Sequence, residues 1–334
     1  MKILSFSDHD QYVPREFTDD SPVQFTWQFS KFSKNYYGEL LYYFYSENLK
    51  AYVAIKRSRI KFFSFGQIMH APIHNNVELS AEDQLSFYNE LIAYLKKVNF
   101  CDRLIQPHPF GIMKAVPPGA KSCRFGTYIN KLQEHSEEEL LYTFDPKYRR
   151  AVNAAEKGGA EVKFGWEQFR DFYLLYQQTT SRAHIHCDPV KYFEMQHRYL
   201  DEHTDCGVVY DKGQPIGGIW MLYSKYAALC THAGSGGESK LYGAMKLLHY
   251  EMMKQMKARG VKYYDLVGVR IGSSNESLEG VFRFKKGFGG DLKEGFLWKT
   301  DIANNKMKLF DLLMRIRGNN AQVKDIIDQE TTAA

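Results

Sequence analysis

Residues 280–290 pack three phenylalanines, three cations and four glycines into eleven positions. Glycine lets a backbone turn sharply or approach a ligand closely. Phe284 would anchor such a loop, and Lys285, beside Lys286, would offer positive charge to a phosphate or a developing oxyanion. By local pattern alone the stretch reads as a strand with a solvated basic edge and a Gly-Gly turn. Two upstream residues could move a proton. Asp265 stands near the end of the run 262–267, before Gly268, and is either a general base or an acid capping a turn. His232 ends the run 226–232 and is either a second base or a hydrogen-bonded core histidine.

Other residues suggest binding roles, each beside a plainer alternative. Arg149 and Arg150 share a cationic helix with Lys147 and Lys157, suited to phosphate or RNA contact, or simply a solvated face. By composition alone Lys31 is surface charge and Tyr192 a core aromatic. His184-x-His186-Cys187-Asp188, near His197 and His203, lacks a zinc-ligand spacing, so no metal site is expected. No G-x-S-x-G nucleophile signature occurs.

The 334 residues suggest two domains. With 44% apolar and 25% charged residues, and 23 Tyr and 23 Phe, the chain has ample material for globular cores. A formal charge of +5 is compatible with a phosphate-bearing partner without establishing one. No apolar run reaches the ~18 residues of a membrane span, and an acid at Asp8 interrupts any signal-peptide pattern. The five cysteines are scattered, with no C-x-x-C pair. These features predict a cytoplasmic protein with reduced thiols.

The elements that must position these residues fall into two similar series. Aromatic and β-branched runs at 39–46, 50–56 and 60–69 predict three antiparallel strands, broken at Glu47-Asn48 and Arg57-Ser58. Ser80 opens a helix to about Val98, and 103–106 is a strand stopped by Pro107 and Pro109. After a strand at 125–132, Ser136 with Glu139 and then Asp145-Pro146 open two helices, the second ending at Gly158-Gly159. Further helices span 166–182 and 189–203. Strands at 206–210, 216–223 and 226–232 lead through a Gly/Ser loop, 234–239, to a helix over 241–259 and a strand over 262–267. Strand, strand, strand, helix, strand thus occurs twice, without sequence identity between the halves, which predicts a duplicated α+β layer structure. A last amphipathic helix runs from about 302 to 317.

Meander, loop, helix, strand is the core of the acetyltransferase-like (GNAT) fold, and two tandem units, each a mixed sheet flanked by helices, resemble the FemAB family. Several stretches match in order. Trp27-x-x-x-Lys31 resembles the family's early W-x-x-x-K. The run Thr127 to Leu132 resembles its T-x-x-x-D-L, with Lys131 in place of the acid. The basic helix after Phe144, Pro189-x-x-Tyr192-Phe193, Ala233-Gly234-Ser235 with Tyr264-Asp265-Leu266-Val267-Gly268, and Phe284-Lys285-x-x-Phe288-Gly289 resemble the remaining landmarks. Three positions depart from the pattern: His232 replaces a tyrosine, Asp188 an arginine, and His108 or Pro107 an acid.

The resemblance implies a non-ribosomal aminoacyltransferase that moves an amino acid from aminoacyl-tRNA to an amine of a peptidoglycan-precursor stem peptide. It implies a first domain, 1–143, on the acceptor side, joined by the C-terminal helix 302–318, and a second, 144–301, on the donor side. Lys31 and Tyr192 would line the precursor cleft, Arg149 and Arg150 would contact phosphate or tRNA, and Phe284 and Lys285 would meet the reacting centre. No cofactor is implied beyond the co-substrate. The implied partners are the charged tRNA, a nucleotide- or lipid-linked precursor and, with the latter, the inner face of the membrane. The helices at 166–203 are too short for the helical arm of some members, and a monomer is expected. An acyl-CoA-dependent N-acyltransferase is the alternative, although Lys240-Leu241-Tyr242-Gly243-Ala244-Met245 matches the R/Q-x-x-G-x-G/A phosphate loop poorly. A non-catalytic binder of tRNA or precursor is a third reading.

Overall fold

The computed structural model describes residues 1–4, 17–38, 41–236, 241–273, 275–316 and 325–332. Part of the expected Gly/Ser loop, with Lys240, lies outside the described residues, as do Arg317 and Gly318 of the expected last helix.

After β1 (Lys2–Leu4), Thr26 and Gly38 bracket α1 (Trp27–Tyr37). The Thr26 hydroxyl accepts from Phe29 N–H, and Gly38 takes the left-handed conformation. The expected meander follows as β2 (Leu41–Ser46), β3 (Ala51–Ile60) and β4 (Phe63–Ile68). Arg57-Ser58, expected as a break, instead continues β3, and the chain turns at Lys61, whose φ is 54°. A small hairpin, β5 (Ile73–His74) and β6 (Val77–Glu78), precedes α2 (Ala81–Lys97), capped by Ser80, and β7 (Arg103–Ile105).

The second series opens with β8 (Lys121–Lys131), α3 (Glu137–Thr143) and α4 (Pro146–Lys157). Ser136 and Glu139 close a full capping box, and Asp145 caps α4 with Pro146 in its first turn. Next come β9 (Glu161–Phe164), α5 (Phe169–Ala183) and α6 (Val190–Leu200). A meander of β10 (Thr204–Asp211), β11 (Gln214–Tyr223) and β12 (Ala227–Ser235) leads to α7 (Ala244–Ala258) and β13 (Tyr263–Asp265). The short β14 (Val269–Arg270) precedes α8 (Glu276–Lys286), and β15 (Asp291–Asp301), α9 (Asn304–Ile316) and α10 (Ile326–Thr332) end the chain.

The region 280–290 is therefore not a strand. Asn275 accepts from the N–H groups of Ser277 and Leu278, Glu276 and Glu279 occupy the first turn, and Arg283, Lys285 and Lys286 the last. A cap, acids at the start and cations at the end all favour helix here. The glycines do make the close approaches expected of them. A Cβ on Gly287 would fall 2.3 Å from the Tyr148 ring, and one on Gly290 would fall 2.7 Å from the Ile129 carbonyl.

Both series close the same way. β4 pairs in parallel with β7 across α2, and β12 pairs in parallel with β13 across α7. The main strand path is β1-β2-β3-β4-β7-β15-β8-β13-β12-β11-β10-β9. Its two halves mirror one another about the β15–β8 pair, which runs antiparallel from Asp291↔Ile129 to Lys299↔Lys121. The partners of this pair cross the chain order: β8 completes the later series beside β13, and the end of β15 reaches β7 of the earlier one through Thr300↔Leu104. The fold is thus α+β, two tandem GNAT-like units sharing one sheet.

Each unit buries its own helix: α2 sets Phe87, Tyr88, Leu91 and Leu95 against β2–β4, and α7 sets Leu247, Leu248, Met252 and Met256 against the second sheet half. The helix α9 returns to the first unit, packing Met307 and Phe310 on Phe63 and Phe65, and the short α10 follows it. Among the described residues no helix is long and apolar enough to cross a membrane.

Candidate active site

Lys285 lies one residue before the end of α8, and its Nζ donates to the carbonyls of Val267, a very short contact, and Gly268, at 2.7 Å. Those carbonyls face it because the chain after β13 turns through two left-handed residues, Val267 at φ 49° and Gly268 at φ 65°. A β-branched residue resists that conformation, so something must hold it. Asp265 does so. Its Oδ1 accepts from Val267 N–H at 2.7 Å and from the Thr127 hydroxyl at 2.5 Å. Burial pushes the Lys285 ammonium down to about 8, with Cys230 and Asp265 opposing. Burial likewise pushes the Asp265 carboxyl above the ordinary carboxylate range, against the bonds from Thr127 and Val267. Asp265 thus has the geometry of a turn cap, the alternative that its position left open.

Phe284 points to the other side of α8, its ring 5.2 Å from Phe288 and 5.9 Å from His249. His249, pushed down to about 3 by burial, exchanges a 2.8 Å hydrogen bond with the Tyr264 hydroxyl. Tyr264 and Asp265 are consecutive strand residues and so face opposite sides of the sheet. Lys246 Nζ lies 5.8 Å from the Phe284 ring and 4.9 Å from that of Tyr148.

Asp265 also lines a cavity of about 390 Å³ between the two units. Gln24, His70, Glu78 and Phe110 face it from the first unit, and Tyr226, Leu229 and Lys293 from the second. Glu78 is paired with Lys293 and, at 3.8 Å, with Lys114. Although burial opposes it, these cations and His70 hold the Glu78 carboxyl below its usual range. Gln24 is buried, and neither its Nε2 nor its Oε1 has a hydrogen-bond partner.

His232 stands elsewhere, where α6 meets α1. Its Nε2 lies 3.3 Å from Asp188 Oδ2, and its ring is 5.7 Å from that of Tyr192. Burial would raise the Asp188 carboxyl, but His232, His186 and the Tyr176 hydroxyl together hold it below its usual range. Tyr192 packs on Phe32 and Tyr36 of α1 at 5.7 and 5.3 Å. Lys31, exposed on the same helix, covers the Trp27 ring at 5.0 Å. His108, a further departure from the family pattern, is half-buried and pushed down to about 3, chiefly by burial of its ring and also by Lys56 and His232.

The structure therefore brings Lys285 and Asp265 together through one loop, and His232 and Tyr192 together at the α1–α6 contact. Arg149 joins neither group. Its Nη1 donates to the carbonyls of Tyr142, at 2.7 Å, and Phe144, closing the end of α3, while Arg150 is exposed. No group of three or more potential metal ligands occurs among the described residues. Sequence reasoning missed Thr127 as the partner of Asp265, and Asp188 as the partner of His232. Both pairs had a signal: Thr127 and Asp265 sit in matching motifs, and His232 and Asp188 are two departures from the family pattern that compensate one another.

No curated protein matches the sequence significantly. Among solved structures, the crystal structure of FemX superposes with a TM-score of 0.67 at 14% identity, covering 92% of this chain and 99% of that one. L-PGS from Bacillus licheniformis (TM-score 0.46, 13% identity, 84% and 90% covered) and a tandem GNAT protein from the clavulanic acid biosynthesis pathway (0.42, 11%, 75% and 79%) are more distant. The FemAB family model matches residues 119–210 and 194–296, more than half of the sequence and every element around Lys285. The chain belongs to the FemAB family and is, with it, a transferase.

Proposed function

We propose that this protein transfers an aminoacyl group from aminoacyl-tRNA to an amine on the stem peptide of a peptidoglycan precursor. The observation that carries the reading is Lys285, a cation fixed by two loop carbonyls within the matched family region. The acceptor amine attacks the ester carbonyl, forming the C–N bond, and the carbonyl oxygen takes up negative charge. Lys285 stabilises that oxyanion. The C–O bond to the tRNA ribose then breaks, and the proton lost by the amine ends on the departing ribose oxygen. Asp265 positions the loop that holds Lys285, and Phe284, packed on Phe288 and His249, fixes α8 from its other side. Tyr192, His232 and Lys31 recognise the acceptor, and Arg150, exposed on α4, meets the donor's phosphates while Arg149 closes the end of α3. In this reading the first unit forms the acceptor side and the second, which begins with β8 rather than at residue 144, the donor side of a cytoplasmic monomer.

The test is a transfer assay with pooled radiolabelled aminoacyl-tRNAs and a nucleotide- or lipid-linked precursor. Label should reach the precursor with the native protein and not with Lys285→Ala. Turnover only when acyl-CoA replaces the charged tRNA would make the protein an N-acyltransferase. Silence with both donors, alongside tight precursor binding, would make it a binding protein.

A further inference from the structure

The last long helix, α9, is apolar on two opposite faces. Met307 and Phe310 enter the core against Phe63 and Phe65. Leu309, Leu312, Leu313 and Ile316, spaced i, i+3, i+4, i+7, form a second stripe about half a turn away, and all four are exposed, Ile316 by 72%. The β3–β4 turn, which packs on the other face of α9, carries two more exposed apolar residues. Phe63, whose ring lies 4.9 Å from that of Phe310, is preceded by Phe62, 86% exposed, and Ile60 is exposed as well. An exposed apolar stripe of this kind needs an occupant.

The charges beside the stripe indicate which one. Along one seam of α9, Lys308 and Arg315 open onto a cleft of about 750 Å³ that also holds Lys96 and Lys121. Its carboxylates are already engaged: Asp301 and Asp311 bind Arg103, and Asp328 binds Lys299. None of the four cations has an anionic partner among the described residues. An apolar stripe bordered by unpaired cations is the arrangement by which a helix lies in the boundary of an anionic bilayer. We propose that α9 and the β3–β4 turn form a docking surface for an anionic lipid membrane, the stripe entering the acyl boundary and the basic cleft facing lipid phosphates. The surface belongs to the first unit, on which α9 packs. The inference assigns a surface to the membrane contact that the transfer reading implies for a lipid-linked precursor, and it is measured without tRNA or precursor, so that either can fail alone.

Co-sedimentation with vesicles of phosphatidylcholine containing 30% phosphatidylglycerol, as against phosphatidylcholine alone, tests it. The native protein should bind the anionic vesicles and release them as salt is raised. Lys308→Gln with Arg315→Gln should weaken partitioning by about 30-fold, from the usual contribution of each basic residue near a charged surface. Leu312→Asp with Leu313→Asp, both at exposed positions, should abolish binding with an unchanged circular dichroism spectrum. Absence of native binding, or binding that both pairs of substitutions leave intact, would overturn the proposal. So would a concentration-dependent dimer dissolved by the leucine substitutions without vesicle binding, which would assign the stripe to a second copy of the chain.

Discussion

Replacing Lys285 with Met should reduce the transfer rate by about 10²–10³-fold, the usual cost of removing one preorganised group that faces a developing oxyanion. The melting temperature should move by only a few degrees. Two terms oppose each other here. Burial that takes the ammonium from 10.5 to about 8 means that the charged side chain costs up to about 3 kcal/mol at neutral pH, which Met would relieve. Met would also leave the Val267 and Gly268 carbonyls without their donor, at about 1–3 kcal/mol each. The pH dependence follows with a definite sign. The folded state holds this proton less tightly than the unfolded chain, so the penalty is fully present below pH 8 and is relieved as pH rises toward 10.5. Activity should do the opposite on the alkaline side, falling above about pH 8 as Lys285 loses its charge. A rate profile still rising at pH 9, or a Met variant retaining a tenth of native activity, would remove Lys285 from the chemistry.

Gly289→Ala should destabilise the protein by about 3–5 kcal/mol, near the top of the range for single substitutions. Gly289 has φ 70°, and a Cβ there would lie 1.7 Å from the Thr143 carbonyl oxygen. Backbone would have to move on both sides, and the segment that moves joins α8, which carries Lys285, to β15. Activity should therefore fall together with stability, unlike the Lys285 variant. Gly280→Ala is the natural contrast. It lies inside α8 with nothing within 4 Å of where a Cβ would stand, and should stabilise by about 0.5–1 kcal/mol. Thermal melts of both variants decide the matter, and equal melting temperatures would refute the close approach at Gly289.

Much of the fold was legible because its signals are local. Ser80, Ser136 with Glu139, and Asp145-Pro146 announce helices within four residues, and the aromatic runs of the two meanders announce strands. The duplication was legible from element order alone. α8 escaped because Phe282 and Phe284, two residues apart, imitate a strand, although Asn275 and the charge gradient along 276–286 carried the correct signal. Within the site, residue types were legible and their partners were not. Lys285 stands out as a cation among glycines, yet what fixes it is a loop turned by a left-handed valine, which no propensity suggests. Asp188 meets His232, and Glu78 meets Lys293, only after distant segments have packed together.

The crossing of β8 and β15 has a consequence for how the protein comes into being on the ribosome. The first four strands of the sheet, with α2 and β7, emerge early, but the strand that covers the outer edge of β7 is among the last made. Until residue 301 has left the exit tunnel, β7 presents open hydrogen-bonding groups, and the core formed by Phe87 and Leu91 lacks Trp298, which completes it. An emerging edge of this kind is a hazard for mispairing. The nascent N-terminal half should therefore call on chaperones through nearly the whole of translation, and a chain released after residue 143 should aggregate rather than fold.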